Sequence, residues 1–460
     1  MPAAHSSPEL EARKFRPYPK YKDSGIEWLG QIPAHWDIYP LRRRLFKKAA
    51  SIKIGPFGSQ LKLEFMSNDG FKVYGQEHVI ARDFRRGNKY INKAKFDELS
   101  ACEIRPNDLM VTMMGSSGHS AVVPGGIEPG IMDSHLLRVR LTDCALDIRY
   151  VALLINDSSY IRDQIVTEGK GAIMQGLNSS IIKSLILAVP PPTEQHIILT
   201  FLDRDIAKID ALIAKKERLI ELLQEKRTAL ITQAVTKGLD PNVPMKDSGI
   251  EWLGKIPSHW DLVPLKHLLS RCDYGLSENL AGLGDVRVLT MANIQDGEIN
   301  LPASGCLEEV PDEFLLDHKD LLFNRTNSRD LVGKVGLFRG SRKDKVSFAS
   351  YLVRMRIREG ISPQFLDYLL NSTGLLALAR SMALLSINQA NLNPTKYTQI
   401  TMPLPSDREQ EAISSLLRRE SQKLEVLTAK IRKAIGWLKE YRTALISAAV
   451  TGKIDARGES

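Results

Sequence analysis

The sequence predicts an α+β chain in which two α/β inserts are separated by two long antiparallel helices that form a coiled coil, with an internal pseudo-two-fold repeat. Three observations support this fold class. One stretch of 24 residues occurs twice, two segments of more than forty residues carry an uninterrupted helical pattern, and the segments between these landmarks differ from each other.

The first long helix is predicted over residues 193–235, which contain no Pro and no Gly. Prolines at 190–192 precede it, Thr193 is its expected N-cap, and Lys237 with Gly238 marks its end. Its apolar row follows heptad spacing at Leu202, Ile206, Ile209, Ile213, Ile220, Leu223, Leu230 and Ala234. At 1.5 Å per residue the helix is about 64 Å long, a length typical of a spacer or a dimerisation strut.

The second long helix is predicted over residues 406–450, where Ser406 and Glu409 have the spacing of a capping box. Its end repeats that of the first helix, since residues 227–231 and 442–446 both read RTALI, 215 positions apart. The same apolar row recurs at Leu417, Leu424, Ile431, Ile435, Leu438, Leu445 and Ala449. Two copies of one strut in one chain favour packing on each other; the alternative is that each helix packs only on its own domain.

A lead-in of 24 residues precedes each insert. Residues 22–45 and 246–269 are identical at 17 of 24 positions, 224 residues apart, which chance does not produce. No carboxylate pair lies beside His35 or His259, and no nucleophile lies beside both of them in the sequence. We therefore expect the aromatic residues of the lead-in to pack at a domain entrance rather than to catalyse a reaction.

The repeats divide the chain into five segments. We predict a disordered tail (1–20), a first insert-bearing domain (21–189), a central long helix (190–238), a second insert-bearing domain (239–402) and a C-terminal long helix (403–460). The variable parts of the two domains, about 46–189 and 270–402, show little similarity to each other. One frame with two unlike inserts is typical of a protein that reads two different targets.

Each insert is predicted to contain short strands and helices bounded by Gly, Asn and Asp. The strands expected in the first insert are 109–114, 121–123 and 136–141, with a helix near 150–155. The strands expected in the second insert are 286–291, 321–323, 335–338 and 352–357, followed by helices at 363–370 and 375–384. The sequence does not determine the order of the strands in a sheet.

Composition is that of a soluble globular protein with an excess of positive charge. Of the 460 residues, 43% are hydrophobic and 25% charged, and the formal net charge is +9 with a pI of about 9.2. This excess suits a polyanionic partner such as nucleic acid. The first twenty residues lack the apolar core of a signal peptide, and no run of eighteen apolar residues predicts a membrane span.

The cysteines and histidines indicate neither disulfides nor a metal site. Cys102, Cys144, Cys272 and Cys306 are widely spaced, so we expect reduced, buried thiols of a cytosolic protein. The nine histidines show no spacing typical of metal ligands, and no structural zinc is expected.

Polar side chains gather in the loops that follow predicted strands. In the second insert, residues 324–329 read NRTNSR directly after the apolar run 321–323. Arg and Asn suit bidentate contacts with guanine and adenine edges, and Ser and Thr suit phosphates, although a solvated loop has the same composition. The equivalents expected in the first insert are residues 55–60, 76–78 and 116–119.

Late polar turns at residues 175–178 and 388–393 occupy comparable places before the two long helices. A shared recognition loop and a simple helix-entry turn explain their recurrence equally well.

Several catalytic motifs are absent from the sequence. There is no G-x-x-x-x-G-K-[ST] phosphate loop, no G-x-G-x-x-G after a strand, and no Asn-Pro-Pro-aromatic or Asp-Pro-Pro-aromatic tetrapeptide of amino-methyltransferases. No paired-carboxylate-plus-lysine pattern of a nuclease is found either. The chain is therefore expected to be noncatalytic by itself.

The sequence resembles the DNA-specificity (S) subunits of type I restriction-modification systems over nearly the whole chain after the tail. The resemblance rests on the doubled lead-in GIEWLG-[QK]-IP-x-HWD and on the doubled helix end RTALI with AVT. It also rests on two insert phrases, GPFGSQLK at residues 55–62 and DLLFNRTNSRDLVGKVGLF at residues 320–338.

This resemblance implies that each insert is a target recognition domain that reads one half of a bipartite, asymmetric site in double-stranded DNA. It implies that the paired helices set the spacing between the halves and dock two methyltransferase (M) subunits, with restriction (R) subunits joining for cleavage. It further implies a cytoplasmic, prokaryotic protein without membrane contact. No cofactor is expected on this chain, because S-adenosylmethionine, ATP and Mg would bind to the partner subunits.

The residues expected to contact DNA lie in the polar loops of the inserts. They are Ser59, Gln60, Lys62, Ser117 and His119 in the first insert, and Asn324, Arg325, Asn327, Arg329 and Lys334 in the second. Base-reading residues of these phrases vary between family members, so the resemblance assigns no contact to any single one of them. Neutralisation of phosphates by Lys and Arg would supply much of the affinity and make it salt-dependent.

Two other classes of function stay open on the sequence alone. A structural coiled-coil scaffold would show no sequence preference on DNA, but it leaves the unlike inserts unexplained. A DNA methyltransferase or nuclease with unfamiliar motifs would modify or cut DNA as the purified chain.

Overall fold

A computed structural model divides the chain into two compact units, Met1–Lys215 with Ala434–Ser460 (unit 1) and Lys216–Lys433 (unit 2). The residues it describes are 15–45, 51–115, 118–141, 145–169, 177–278, 284–295, 297–302, 305–386 and 389–458. Each unit contains one lead-in, one insert and part of each long helix. The division therefore differs from the five predicted segments, because both long helices are shared between the units.

Unit 1 contains the strands of the first lead-in, the start of the first long helix and the end of the second. Its strands are β1 (Tyr21–Asp23), β2 (Gln31–Pro33), β3 (Asp37–Pro40), β4 (Ile52–Ile54), β5 (Met66–Ser67), β6 (Phe71–Tyr74), β7 (Tyr90–Ile91), β8 (Leu109–Thr112), β9 (Ser120–Val122), β10 (Gly130–Met132), β11 (Leu136–Val139) and β12 (Ile186–Val189). Its helices are α1 (Gln76–Ala81), α2 (Lys93–Glu98), α3 (Ile148–Asp157), α4 (Ser159–Gly169), α5 (Ser179–Ser184) and the start of α6 (Pro192–Lys237).

Unit 2 follows the same plan. Its strands are β13 (Met245–Asp247), β14 (Lys255–Pro257), β15 (Asp261–Pro264), β16 (Leu269–Tyr274), β17 (Val286–Leu289), β18 (Ile294–Gln295), β19 (Glu298–Ile299), β20 (Cys306–Leu307), β21 (Leu321–Asn324), β22 (Thr326–Asn327), β23 (Val335–Leu337), β24 (Val346–Phe348), β25 (Leu352–Ile357), β26 (Leu384–Ser386), β27 (Gln389–Asn391) and β28 (Thr401–Leu404). Its helices are α7 (Leu265–Leu268), α8 (Pro363–Leu370), α9 (Thr373–Ser381), α10 (Pro394–Tyr397) and the start of α11 (Asp407–Val450).

A pair of antiparallel strands closes each insert where it joins the frame. In unit 1, β3 of the lead-in pairs with β12, and in unit 2, β15 pairs with β28. Directly inside these pairs, the Leu41 N–H donates to Leu185 O at 2.8 Å and the Leu265 N–H donates to Ile400 O at 2.9 Å. The chain therefore enters and leaves each insert through adjacent strands, which we call the clasp.

The central sheet of each insert has a matching antiparallel order. In unit 1 the order is β4-β11-β8-β9, and in unit 2 a six-stranded sheet begins β16-β25-β21-β23. A second sheet in each insert contains one parallel pair, β10 with β6 and β17 with β24. The predicted strands and helices of both inserts are confirmed with small shifts of their ends, and the structure adds the strand order.

Buried arginines hold the central sheets in equivalent ways. Arg138 in β11 and Arg354 in β25 are almost fully buried, and each donates to a backbone carbonyl, that of Glu103 and of Leu315 respectively. Two residues further on, Arg140 pairs with Asp108 and Arg356 pairs with Asp320. Because a buried charge is stable only when it is paired and hydrogen-bonded, these contacts fix the register of two sheets that differ in sequence.

The two long helices pack together as the heptad pattern predicts. In unit 2, Arg227 of α6 lies 3.2 Å from Glu425 of α11, and buried Ala234 and Leu417 belong to one apolar cluster. Later residues of α6 therefore lie beside earlier residues of α11, so the two helices run antiparallel. In unit 1, Arg442 of α11 lies 3.4 Å from Asp210 of α6. These two ion pairs join residues that correspond through the 215-residue repeat.

The start of α6 corrects one prediction. The helix begins at Pro192, and the carbonyl of Pro191 accepts the N–H groups of Glu194 and Gln195, both at 2.9 Å. Thr193 therefore lies inside the first turn and is not the N-cap, because Pro is well tolerated at the first helical position, where no partner for its missing N–H is needed. The predicted end is confirmed, since α6 stops at Lys237 and Gly238 follows with φ +77°.

The predicted disordered tail over residues 1–20 is wrong for its last part. The structure describes the chain from Phe15, whose ring packs edge-on against Phe201. The Tyr18 side chain is buried, and the carbonyl of Arg16 accepts the N–H of Asp455 at 2.8 Å. Residues 15–20 are therefore part of unit 1.

A carboxylate in the first turn of each long helix anchors the lead-in. Glu194 accepts from Trp36 Nε1 at 2.9 Å, lies 2.7 Å from His35 Nε2, and accepts from the Tyr18 hydroxyl. Its pseudo-equivalent Glu409 meets His259 and Trp260 at 2.9 and 3.3 Å. Trp36 and Trp260 are fully buried, so the expected structural role of the lead-in aromatics is confirmed.

Glu409 also caps α11. It accepts from the backbone N–H and the hydroxyl of Ser406 at 3.3 and 3.0 Å, which is the glutamate half of the predicted capping box. Burial raises the pKa of the Glu409 carboxyl, but hydrogen bonds from His259, Trp260 and Ser406 outweigh burial and lower it overall.

The described cysteines Cys102, Cys272 and Cys306 are free thiols. Cys102 is buried as expected, whereas Cys272 is exposed on β16, because alternate side chains of that strand face solvent. Cys144 lies outside the described residues. Over the described ranges, no helix combines the length and the apolar character that crossing a bilayer requires.

Replacing Glu194 should destabilise unit 1 more than replacing Glu409 destabilises unit 2. The side chain of Glu194 is 5% exposed, whereas that of Glu409 is 37% exposed and water can take over its role. We expect Glu194→Ala to lower the free energy of unfolding by about 2–4 kcal/mol, and Glu409→Ala by about 1 kcal/mol. Urea denaturation of the full chain, monitored by tryptophan fluorescence, measures both. Equal losses would contradict the anchoring role assigned to Glu194.

Candidate nucleic-acid interface

The register of each central sheet brings three strand ends to one edge. In unit 2, Tyr274 at the end of β16 pairs with Val353, and Asn324 at the end of β21 pairs with Leu352 at the start of β25. Tyr274, Arg325 and Tyr351 therefore lie side by side where these strands end. We call this end of each central sheet the loop edge.

The loop edge of unit 1 is built from the corresponding strands. Ile54 at the end of β4 pairs with Leu137, and Thr112 at the end of β8 pairs with Leu136 at the start of β11. The loops that begin with Gly55 and Met113 therefore meet the turn that carries His135.

Backbone hydrogen bonds establish which residues of the two edges correspond. The Met113 N–H donates to His135 O at 2.9 Å, and the Arg325 N–H donates to Tyr351 O at 3.1 Å. Because Ile54 and Tyr274 end the neighbouring strands, unit 1 places Ile54, Met113 and His135 where unit 2 places Tyr274, Arg325 and Tyr351. The backbone is the same, and the side chains are chemically unlike.

The late polar turns are joined to the loop edges. The Leu177 N–H donates to Met113 O at 3.0 Å, and the Leu392 N–H donates to Arg325 O at 2.7 Å. The next residue of each turn, Asn178 or Asn393, caps a short helix, α5 or α10. The described part of each turn is therefore a helix entry that is also bonded to the loop edge, whereas residues 175–176 and 388 lie outside the described residues.

Two glycines allow the first loop of each edge to pass close to its neighbour. The Gly55 N–H donates to Leu136 O at 2.9 Å, and a Cβ at Gly55 would lie 1.7 Å from the carbonyl oxygen of Asp133. Gly275 occupies the corresponding place, where a Cβ would lie 2.2 Å from the carbonyl oxygen of Phe348. Only glycine fits such a close approach of two backbones.

The loop edge of unit 2 combines aromatic, basic and apolar side chains. The Arg325 guanidinium carbon lies 5.1 Å from the centre of the Tyr274 ring, and Tyr351 is exposed beside it. β22, which follows Arg325, pairs with β27, which in turn pairs with β26. Leu384 and Leu385 of β26 are 75% and 61% exposed, an unusual degree for neighbouring leucines on one strand.

The loop edge of unit 1 is more apolar. Phe57 and Leu63 project from the first loop and are 80% and 89% exposed, and Met114 is exposed in the second loop. Burial raises the pKa of the Asp133 carboxyl, although the backbone N–H and the ring of His135 oppose this effect.

Most of the residues predicted to contact DNA in the first insert are exposed near the loop edge. Ser59, Gln60 and Lys62 are exposed in the first loop, and His119 is exposed where β9 begins. The Gln60 side chain accepts the N–H of Phe57 at 3.1 Å and thereby shapes this loop. Ser117 lies outside the described residues.

The residues predicted in the second insert divide into exposed and buried groups. Arg325 is partly buried on the loop edge and Arg329 is exposed in the following loop. Asn324 is fully buried and Asn327 nearly so, and both amide groups point to the carbonyl oxygen of Met291. In this conformation the two asparagines hold the loop, and their predicted contact with DNA stays a prediction.

The Lys334 side chain lies in a cavity, although its carbonyl accepts the Asn324 N–H at 2.9 Å at the loop edge. It is partly buried and lines a cavity of about 430 Å³ beside the long helices, together with Arg227, Arg339 and Asp367. Desolvation raises the pKa of the Asp367 carboxyl well above its ordinary range. Lys334 shares this cavity with other charged side chains, and its predicted contact with DNA stays a prediction.

Sequence reasoning missed Tyr274, Tyr351, Leu384 and Leu385. None of them belongs to a polar cluster, and each is adjacent to or within a strand whose pairing the sequence does not reveal. Within the described ranges, no group of three His, Cys, Asp or Glu side chains could hold a metal ion.

The chain is similar in sequence to specificity subunits of type I restriction enzymes. It is 26% identical to a putative MjaX specificity subunit of Methanocaldococcus jannaschii over 36% of this chain and 40% of that protein. It is 21% identical to the EcoKI specificity subunit of Escherichia coli K12 over 65% of this chain and 64% of that protein, and 22% identical to the EcoBI specificity subunit over 77% and 75%. The chain thus spans less than two thirds of the first two relatives. No family model matches the sequence.

Solved structures share the fold over most of the chain. A chain from a study of complex assembly and conformational transition of the type I R-M system superposes with a TM-score of 0.62 at 17% identity, covering 92% of this chain and 99% of that chain. The HsdS subunit from Thermoanaerobacter tengcongensis superposes with a TM-score of 0.52 at 14% identity, covering 92% and 98%. The resemblance to S subunits and the predicted fold class are confirmed.

A side chain at position 55 should disrupt the first loop edge. In Gly55→Ala the new methyl group would overlap the carbonyl oxygen of Asp133, so one backbone must move. We expect a loss of at least about 2 kcal/mol in the free energy of unfolding and faster proteolysis of the 55–65 loop. Gly125→Ala is the matched control, because a Cβ at Gly125 meets nothing within 4 Å. Equal behaviour of the two variants would contradict the close approach.

Proposed function

We propose that this chain is the noncatalytic DNA-specificity subunit of a type I restriction-modification complex, acting on double-stranded DNA in a prokaryotic cytoplasm. Each insert would read one half of a bipartite, asymmetric site. The observation that carries the proposal is the correspondence of the two loop edges, where one backbone arrangement presents Ile54, Met113 and His135 in unit 1 but Tyr274, Arg325 and Tyr351 in unit 2. A duplicated frame with unlike side chains suits the reading of two unlike half-sites.

The chemistry of both edges suits DNA. Major-groove edges offer acceptors to Arg and thymine methyl groups to apolar side chains, and phosphates attract Lys and Arg. Unit 2 supplies Arg325, Arg329 and the exposed Leu384 and Leu385, whereas unit 1 supplies Lys62, His119, Phe57 and Leu63. The net charge of +9 supports binding to a polyanion that weakens with salt.

The outer face of each long helix supports docking of two equal partners. Thr228 and Ala229 of α6 are exposed, and so are Thr443 and Ala444, which correspond to them in α11. Packing within the chain does not explain why these exposed positions of the repeat hold identical residues. A shared contact with two copies of one partner explains them, and two methyltransferase subunits would be that partner.

The neighbouring surface on each helix suits a partner helix. Beside Ala229, a groove of about 960 Å³ is lined by ten residues, of which five are Thr or Ala, including Thr232 and Thr373. These short side chains leave room for another helix to approach. Seven residues before Ala229 and Ala444, on the same helix face, Leu222 and Trp437 correspond to each other and are exposed. Apolar side chains at equivalent outer positions are typical of a docking surface.

Catalysis would belong to the partners in this scheme. S-adenosylmethionine would bind to the methyltransferase subunits, and ATP and Mg would serve the restriction subunits. This chain would contribute the choice of sequence and the spacing between half-sites, with the antiparallel helices as the spacer.

Genome-wide mapping of methylated bases tests the proposal. The chain is co-expressed with the methyltransferase subunit encoded beside it, in a host that lacks other methyltransferases, and methylated positions are located by single-molecule sequencing. We expect one bipartite, asymmetric motif, and none when this chain is omitted. Methylation by the chain alone would instead support a methyltransferase, and no sequence preference would support a structural scaffold.

Charged substitutions on the outer helix face should remove partner subunits one at a time. Ala229→Arg and Ala444→Arg should each reduce the complex from two methyltransferase subunits to one, and the double variant should bind none, as measured by native mass spectrometry. Glu217→Ala and Arg432→Ala are matched controls, because they lie at corresponding exposed positions about 120° around the helix. Retention of two subunits in the double variant would contradict the docking surface.

A further inference from the structure

Arg325 is held on the loop edge of unit 2 by an aromatic ring. Its guanidinium carbon lies 5.1 Å from the centre of the Tyr274 ring, within the range of a cation–π contact. Its backbone is fixed on both sides, by the bond from its N–H to Tyr351 O and by the bond from Leu392 N–H to its carbonyl. The side chain therefore has a defined position before any ligand binds.

The hydrogen-bond donors of Arg325 are not used within the part of the chain that the structure describes. Its Nε is buried without a hydrogen-bond partner, and its guanidinium forms no ion pair with a described residue. Arg354 of the same sheet provides the contrast. It also lies over a ring, that of Phe348, but its donors are taken by Asp273 and by the carbonyls of Leu315 and Glu313.

This difference separates a structural arginine from one that is available to a ligand. A partly buried guanidinium without partners is costly, because it has lost water and gained no acceptor in return. The cost is removed when a ligand supplies acceptors in the plane of the guanidinium. Arg325 is partly exposed and only its Nε is buried without a partner, so the Nη groups are the donors that a ligand can reach.

The corresponding place in unit 1 holds no such group. Met113 replaces Arg325 there, and Ile54 replaces Tyr274. The arginine and its aromatic support therefore occur together in one insert and are absent together from the other. A contact that belonged to the shared frame, such as one with a phosphate at a fixed place, would be expected in both.

We propose that Arg325 reads a guanine in the half-site of the second insert, and that Tyr274 is a positioning residue that holds the guanidinium for this contact. The inference rests on the proposed function and adds to it one base and one supporting residue.

Guanine is the base whose chemistry matches this arrangement. Its major-groove edge presents two acceptors, O6 and N7, at the spacing of two guanidinium N–H groups, and the paired contact discriminates against other bases. Arginine offers these donors in a rigid plane, whereas the ammonium of lysine is a point charge without that geometry. Stacking on Tyr274 reduces the rotamer freedom that Arg325 would otherwise lose on binding.

The test uses DNA in which one acceptor is removed. Once the methylated motif is known, each guanine of the second half-site is replaced in turn by 7-deazaguanine, which pairs normally with cytosine but lacks N7. Binding of the complex of this chain with its methyltransferase subunits is measured by fluorescence anisotropy. We expect one position at which the replacement weakens binding roughly tenfold or more. The same replacement in the first half-site is the internal control.

Variants then assign the contact. Arg325→Lys should weaken binding at least tenfold. It should also make binding insensitive to 7-deazaguanine at that position, because the variant no longer makes the contact that loss of N7 would remove. Tyr274→Leu should reduce the sensitivity several-fold, whereas Tyr274→Phe keeps the ring and should retain it. Arg329→Lys is the matched control, since this exposed arginine of the same loop should change affinity but not the response to 7-deazaguanine.

The outcomes separate the inference from the proposed function. Sequence-specific binding without any guanine in the second half-site, or with no guanine sensitive to 7-deazaguanine, would overturn the role of Arg325 and leave the specificity subunit intact. Sensitivity that persists in Arg325→Lys would also overturn it. Complexes without any sequence preference would overturn the proposed function itself. The measurement on the unmodified chain does not depend on the folding of any variant.

Discussion

The frame of the molecule depends on a carboxylate in the first turn of each long helix. Glu194 and Glu409 hold the lead-in tryptophans Trp36 and Trp260, and a negative charge at this place is also favoured by the partial positive charge of the helix N-terminus. Each lead-in also contains the first strand of its clasp, β3 or β15. The start of the long helix, the clasp and the entrance of the insert are therefore fixed together, twice in one chain.

The clasp lies between the frame, which is the same in both units, and the insert, which differs between them. Because the insert enters and leaves through adjacent strands, its interior can change without moving the helices. The central sheets nevertheless keep one plan, since Arg138 and Arg354 are buried at matching places and hold matching carbonyls. What differs is the loop edge, where Met113 in one unit corresponds to Arg325 in the other. Differences in function between the halves are thus concentrated in side chains on a common backbone.

The sequence predicted the repeated frame well because its signals are long. A heptad row sustained over forty residues identifies a long helix. A repeat of 24 residues identifies a duplicated unit. Thr193 was assigned wrongly because a proline can begin a helix as well as precede it. The loop edge was predicted only in part, since Asn324 and Arg325 are neighbours in one polar cluster, yet one is buried and the other reaches the edge. Tyr274 was missed because strand pairing alone brings it to Arg325, from a place 51 residues earlier in the chain.

The central claim is that the frame places the inserts and that each insert alone reads its half-site. A chain in which residues 265–400 are replaced by residues 41–185 tests it most directly, because both clasps are kept and both units then carry the first insert. Its methylated motif should consist of two copies of one half-site, the half-site that the first insert reads in the original chain. A motif that stayed asymmetric would contradict the account, because reading would then depend on the frame as well as on the insert.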